Sequence, residues 1–285
     1  LGAPFLPHYW LSHCPENFFQ LSLYFNEILT HNVPLMVSLH EAKEVPETGE
    51  FWSKGVLEKL FLREDWKLEV DEKATQVIAI SDAISGVDYE KAYAECAAKA
   101  QTTSLPSSLV PQANLAAEKF RPKIVARTLI ARRNEIEVRK LTHLHFENWH
   151  DGTETPNPNL LFKLLETIDS YKIPPAAPIA INCRAGVKRT GVFVLFDMVR
   201  RAILDQDKNK IAATNICVSI AAFFYQLRIL RPKPTVYSFE NFQEVYCLAR
   251  DFLQDLGATS KNAPKSTSAA LSPSDCKETD SLKSL

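Results

Sequence analysis

Ile179-Ala180-Ile181-Asn182-Cys183-Arg184-Ala185-Gly186-Val187-Lys188-Arg189-Thr190-Gly191 runs from an apolar stretch through a cysteine and five further residues to an arginine and a Thr-Gly pair. Beyond Gly191, Val192, Leu195, Phe196, Val199 and Ile203 recur at helical spacing, so the segment reads as strand, tight loop and helix. Backbone N–H groups of the loop and first helical turn then converge above Cys183, at a point that suits an anion. A thiol there meets unsatisfied donors, the positive end of a helix and a nearby guanidinium. Each favours the charged form, so the thiol pKa is expected to fall below that of a free cysteine, making Cys183 a thiolate nucleophile. Arg189 offers a planar fork that binds two phosphate oxygens together, which lysine cannot do.

The competing reading makes Cys183 a buried hydrophobe at a strand end, which leaves Arg184, Lys188 and Arg189 crowded for no reason. A bare cysteine-five-arginine spacing is weak evidence. The strand-like run before it, Ala-Gly inside it and the helix after it are what narrow the reading.

Cys183 to Gly191 resembles the signature loop of the cysteine-dependent protein tyrosine phosphatases, and other segments fall in that family's order. Asn32 to Leu39 is similar to its central strand, His145-Phe146-Glu147-Asn148-Trp149-His150-Asp151 to its mobile acid loop, and Leu227 to Tyr246 to its last helices. The resemblance implies an α/β (α+β) fold, a twisted mixed sheet flanked by helices. It also implies hydrolysis of phosphotyrosine in protein substrates through a phosphocysteine. Phosphoryl transfer to a thiolate needs a proton for the departing oxygen, a role that falls to Asp151, with Glu154 the substitute if the loop is shifted. Trp149 becomes the packed hinge of the closing loop. Arg184, Ala185, Gly186, Val187 and Lys188 line the phosphate site, and Thr190 is placed to donate a hydrogen bond to the leaving thiolate. No cofactor or metal is needed, since loop amides and Arg189 supply the charge stabilisation.

The sequence departs from the family pattern at several points. Asn182 stands where the family usually has histidine, His150 replaces a proline in the acid loop, and Lys188 replaces a glycine, adding a cation beside Arg184 at the pocket rim. The family's water-positioning glutamine has no clean match; a one-residue shift brings Tyr237 there, with Gln243 the nearest downstream amide. The tyrosine that measures pocket depth would lie upstream of Leu1 or be replaced by Tyr9 and Trp10. Two alternatives follow. Arg184 and Lys188 would suit a multiply phosphorylated phosphoinositide headgroup, whereas Asn182 and the missing glutamine would suit a catalytically weak module that only binds phosphate. Such departures around a retained reactive core are also expected of a bacterial effector translocated into a host cell.

The 285 residues, 46% hydrophobic and 24% charged, are ample for one large domain. Thirty-three basic against 34 acidic residues, for a net charge of -1, argue against nucleic acid as a partner. Cys14, Cys96, Cys183, Cys217, Cys247 and Cys276 show no framework spacing, which points to a reducing, cytosol-like compartment. No apolar run reaches bilayer-spanning length, and no signal segment is expected.

Residues 1–256 read as the phosphatase domain, with an insertion at about 81–119 that is tolerated decoration or a specificity element, and 257–285 as a disordered polar tail. Phe5 to Pro15 reads as irregular, set beside the active site by the resemblance. Asn17 to His31 reads as a helix, Leu35 to Leu39 and Trp66 to Ile80 as strands, and Ile124 to Ile130 with Glu135 to Phe146 as a hairpin. Glu41 to Lys54 reads as a loop whose aromatic pair Phe51-Trp52 packs beneath the sheet in the family's manner. Its carboxylates are solvated by default, although the resemblance allows one to touch the active site. His143 and His145 share a strand face, but no third ligand has suitable spacing for a metal. Leu160 to Tyr171 reads as an amphipathic helix, Asp205 to Lys210 as a charged turn, and Asn215 to Leu230 and Ser238 to Leu253 as closing helices.

Overall fold

The apolar run before Cys183 is the strand Pro178–Cys183, and its neighbours organise the molecule. The computed structural model describes residues 8–45, 47–79, 123–147, 149, 158–209, 211, 215–230, 236 and 238–259. In chain order these form β1 (His8–His13), α1 (Phe18–Thr30), β2 (Leu35–Ser38), a 3-10 turn (Ala42–Glu44) and the short α2 (Lys54–Leu57). There follow β3 (Trp66–Ala79), β4 (Lys123–Arg133), β5 (Ile136–Phe146), α3 (Pro158–Ser170), β6 (Pro178–Cys183), α4 (Lys188–Lys208), α5 (Ile220–Leu230) and α6 (Phe239–Thr259). The strands make one mixed sheet in the order β1-β6-β2-β5-β4-β3. β1, β6, β2 and β5 run parallel, whereas β4 pairs antiparallel with both β5 and β3.

The sheet is covered on both faces, which is why β2 and β6 read as continuous apolar runs rather than alternations. On one face Leu35, Val37, Ile179 and Ile181 pack against Leu161, Leu164 and Leu165 of α3, Phe193 and Phe196 of α4 and Leu248 of α6. On the other, Met36, Ala180, Leu129 and Leu141 pack against Leu21, Phe25 and Ile28 of α1, with Phe51 and Trp52 beneath the sheet.

Local sequence sets the boundaries. The Asn17 side chain caps α1 by accepting from the Gln20 N–H at 3.0 Å. Asn32, at φ 54°, supplies the left-handed residue that ends the helix, and the Val33 N–H returns to the Ile28 carbonyl at 3.0 Å. Asn134 and Glu135 both have positive φ, the conformation that a two-residue turn between β4 and β5 requires.

Several expectations need correction. His8–His13 is not irregular; it is the edge strand β1, whose backbone bonds run to β6, so pairing rather than side-chain pattern makes it a strand. Helix α4 continues through Asp205 and Asp207 to Lys208, because those carboxylates lie on its solvated last turn. Helix α5 begins at Ile220 instead of near Asn215, where the Ser219 hydroxyl caps it by accepting from the Ala222 N–H at 3.2 Å. Helix α6 runs past Leu253 to Thr259. The expected insertion at about 81–119 and residues 260–285 lie outside the described residues.

One buried polar knot ties β1 to the helical layer. Asp197 of α4 is 1% exposed and accepts from the Tyr9 hydroxyl, from Arg200 Nε at 2.8 Å and from Arg201 Nε at 2.8 Å, while both arginines also reach Asp169 of α3. Burial alone would raise the Asp197 pKa, but the two guanidinium charges and the Tyr9 hydroxyl outweigh it and hold the carboxyl below its ordinary value. Tyr9 is committed to this knot, and Trp10 packs edge-on against His31, so neither takes the place of a pocket-depth tyrosine. Asp197→Ala leaves the buried Arg200 charge with the more exposed Asp169 in place of a fully buried carboxylate and is expected to cost about 3 kcal/mol in urea unfolding. A loss below about 1 kcal/mol would show that the knot is not structural.

Candidate active site

The carboxyl ends of the four parallel strands bring the site together, the usual place for a ligand in a sheet of this kind. β6 ends at Cys183, β1 at His13 beside it, β2 leads into the turn carrying Glu44, and β5 leads to Trp149. Cys183 is 2% exposed and carries a free thiol. The Cys14 N–H donates to the carbonyls of Cys183 at 2.9 Å and Arg184 at 3.1 Å, so β1 braces the start of the loop.

Gly186 is the point at which the loop turns. Its φ is +65°, and a Cβ there would stand 2.4 Å from the Ser12 carbonyl oxygen, so both conformation and space demand glycine. The Gly186 N–H donates to the Cys183 carbonyl at 3.2 Å, closing the turn. Helix α4 then begins with Val187 as its N-cap, and no side chain caps it. The first N–H groups of a long helix are thus turned toward the loop without a side-chain acceptor, the arrangement that receives an anion.

Arg189 is 3% exposed and held from two sides. Its Nη1 donates to Glu44 Oε1 at 2.8 Å and to the Trp149 carbonyl at 2.9 Å, and its Nη2 donates to Glu44 Oε2 at 2.6 Å. Glu44 is itself fixed, since Oε1 also accepts from the Glu41 N–H at 3.0 Å. Burial pushes the Glu44 pKa up, but hydrogen bonds from Arg189 and the Glu41 backbone prevail and keep it lowered. One loop carboxylate is therefore not solvated charge. It is the partner that aims the arginine. The only local sequence sign of it was the Glu-x-x-Glu spacing of a capped turn just after β2.

The other expected residues fall as follows. Arg184 and Ala185 are exposed at the loop tip, and Val187 and Lys188 are half-buried. Lys188 Nζ lies 3.8 Å from Glu244 Oε1 on α6, so it is turned to a carboxylate rather than standing as a surplus cation at the rim. Thr190 is fully buried, and its hydroxyl has no hydrogen-bond partner among the described residues. Trp149 is fully buried against the helical layer. Asp151, Glu154, His150 and Tyr237 lie outside the described residues. Gln243 is on α6, one turn from its start. Asn182, 1% exposed, has neither amide atom hydrogen-bonded among the described residues, so the support that a histidine would give the loop is absent there.

Beneath the loop lies a layer of buried titratable groups. Cys14 Sγ and His40 Nε2 are 3.3 Å apart; burial, with smaller effects from Cys183 and nearby carboxylates, pushes the Cys14 thiol up to about 12, and burial lowers His40 to about 4. His143 bonds Ser38 Oγ at 3.0 Å and stacks on Trp52, and His145 bonds the His40 carbonyl at 2.8 Å. The shared face of the two histidines is thus occupied by packing and by hydrogen bonds to β2 and the residues after it.

The family model described as protein-tyrosine phosphatase matches residues 63–248, more than half of the chain, and the chain belongs to that family. Human receptor-type tyrosine-protein phosphatase C is 28% identical over 80 residues, covering 28% of this chain and 6% of the relative. Mouse receptor-type tyrosine-protein phosphatase eta is 31% identical over 98 residues, covering 34% and 7%. The chain therefore spans less than a tenth of these relatives. Among solved structures, the catalytic domain of human protein tyrosine phosphatase non-receptor type 18 superposes with a TM-score of 0.56 at 15% identity, over 86% of this chain and 69% of that one. A structure of the same phosphatase in complex with HER2 phosphopeptides gives 0.52 at 16% identity, over 82% and 63%. The fold expected from the sequence is the fold observed. Among the described residues no helix is long and apolar enough to cross a membrane.

The buried histidines carry a pH signature. A histidine held near 4 when folded and near 6.5 when unfolded binds its proton first in the unfolded chain, so stability is complete above 6.5 and lost as pH falls toward 4. His40 alone accounts for a loss on the order of 3 kcal/mol. Urea titrations at stepped pH should show this fall shrink in His40→Asn, measured relative to that variant's own stability at neutral pH. An equal fall in both proteins would contradict the assignment.

Proposed function

We propose that this chain hydrolyses phosphotyrosine in protein substrates through a phosphocysteine on Cys183. The observation that carries the reading is the uncapped start of α4 beside Cys183, with Arg189 held by the two hydrogen bonds it donates to Glu44. Family membership supports it.

In the first step Cys183 Sγ attacks phosphorus. The S–P bond forms, the bond from phosphorus to the tyrosine oxygen breaks, and Asp151 gives its proton to the departing phenolate. Loop amides from Arg184 to Lys188 hold the phosphoryl oxygens, and Arg189 follows two of them as charge shifts in the transition state. In the second step water attacks phosphorus and Asp151 takes its proton. The S–P bond breaks toward Cys183, whose sulfur receives a hydrogen bond from Thr190, and inorganic phosphate leaves. Trp149, packed in the core with its carbonyl on Arg189, is suited to anchor the loop carrying Asp151 while that loop closes. By its place in the sequence, Tyr237 is assigned the role of the water-positioning glutamine.

The structural neighbour in complex with HER2 phosphopeptides lends the substrate class. A phosphoinositide headgroup is less well served, because Lys188, one of the two cations that suggested it, faces Glu244. A module that only binds phosphate would use Arg189 as well, but it leaves the expected acid at Asp151 without purpose. Free thiols at Cys14 and Cys183 suit a reducing, cytosol-like compartment.

The test is turnover of a phosphotyrosine peptide. Cys183→Ser should abolish it while retaining peptide binding, and Asp151→Ala should lower kcat by about two to four orders of magnitude, most for poor leaving groups. Undiminished turnover by Cys183→Ser would overturn the proposal, and an unchanged rate in Asp151→Ala would move the acid elsewhere.

A further inference from the structure

Two adjacent cations open helix α4, and each meets a carboxylate from outside the loop. Arg189 is clamped by Glu44, and Lys188 Nζ stands 3.8 Å from Glu244 Oε1. The two pairs differ in kind. Glu44 makes short, paired hydrogen bonds that aim Arg189, whereas the contact between Lys188 and Glu244 is long and loosely directional, an arrangement that balances charge more than it fixes geometry. The Glu244 side chain is only 16% exposed, and its Oε2 is buried without a hydrogen-bond partner among the described residues. A carboxylate left half-satisfied 3.8 Å from the ammonium of the lysine that follows the phosphate-binding loop calls for an explanation other than packing.

Charge supplies one. A lysine at the first position of a helix adds positive charge where the helix end is already positive. Glu244 offsets it. The side chains of Lys188, Arg189, Glu44 and Glu244 together carry no net charge, so beyond the exposed Arg184 at the loop tip, attraction for a phosphate comes chiefly from the backbone amides and the oriented guanidinium, which suit one phosphoryl group. A substrate with a second phosphate beside the first would bring it against a carboxylate.

The geometry points to Glu244 as a specificity-determining residue: it keeps the charge beside the loop matched to a single phosphate and turns away substrates bearing two vicinal phosphates. This rests on the reading of the loop as a phosphate site. Removing the Glu244 charge raises the net charge there by one unit whatever other contacts Lys188 makes.

The experiment measures binding, so that it does not depend on turnover. On a Cys183→Ser background, calorimetry gives Kd for a phosphotyrosine peptide and for a soluble inositol bisphosphate with vicinal phosphates. Glu244→Gln, close to isosteric, should shift the ratio of the two affinities toward the bisphosphate by about tenfold, and with a steeper dependence on salt. Adding Lys188→Met should remove the shift. An unchanged ratio in Glu244→Gln, a gain that persists without Lys188, or an equal weakening of both ligands would overturn the inference, the last marking Glu244 as merely structural. Far-ultraviolet circular dichroism and urea midpoints establish that the variants are folded. Should the phosphotyrosine peptide not bind even the Cys183→Ser parent, it is the underlying phosphatase reading that fails.

Discussion

The ion pair between Arg189 and Glu44 is the constraint on which the site depends. Taking a guanidinium out of water is costly, and a buried arginine persists only where a carboxylate meets it with good geometry. Here two oxygens meet two nitrogens at 2.8 and 2.6 Å, and the Trp149 carbonyl accepts a further bond. The pair joins three parts of the chain that are far apart in sequence: the turn after β2, the segment after β5 and the start of α4. Its consequence is an arginine whose position is set before any ligand arrives, so little orientation is left to be lost on binding.

The parallel arrangement of β1, β6, β2 and β5 makes this meeting possible. Four strand ends point the same way, and each delivers one component: the brace at Cys14, the thiol of Cys183, the carboxylate of Glu44 and the anchor at Trp149. Below them the sheet carries neutral buried groups, with His40 held low and the Cys14 thiol held high by burial. Arg127, a cation of the same layer, is half-buried and stacks 4.3 Å above the Trp52 ring. Pairing also governs the far side of α4, where Asp197 and Asp169 together neutralise Arg200 and Arg201 and Asp197 binds the edge strand through Tyr9.

Much of the fold was legible because its elements are locally specified. The run ending at Cys183 and the helical spacing from Val192 to Ile203 gave strand, loop and helix correctly, and the helix from Asn17 to His31 and the hairpin through Phe146 were read within a few residues of their observed bounds. What escaped was non-local. β1 has no clean alternation and is a strand only because β6 offers its edge. Glu44 is one of several carboxylates in a charged segment, and only the sheet order places it against a residue of α4. Lys188 likewise read as a free cation because its partner lies on α6. Helix ends were missed where polar residues at a solvated last turn, as at Asp205 and Asp207, look like a break.

The claim at the centre of this account is that phosphorus passes through the sulfur of Cys183. The direct measurement is a rapid acid quench of the intact protein during turnover of a phosphotyrosine peptide labelled on its phosphate, followed by peptide mapping by mass spectrometry. The account predicts a phosphate on Cys183, accumulating further in Asp151→Ala with an activated aryl phosphate, where breakdown is slowed more than formation. Turnover with label on another residue, or with none at any time in either protein, would contradict it.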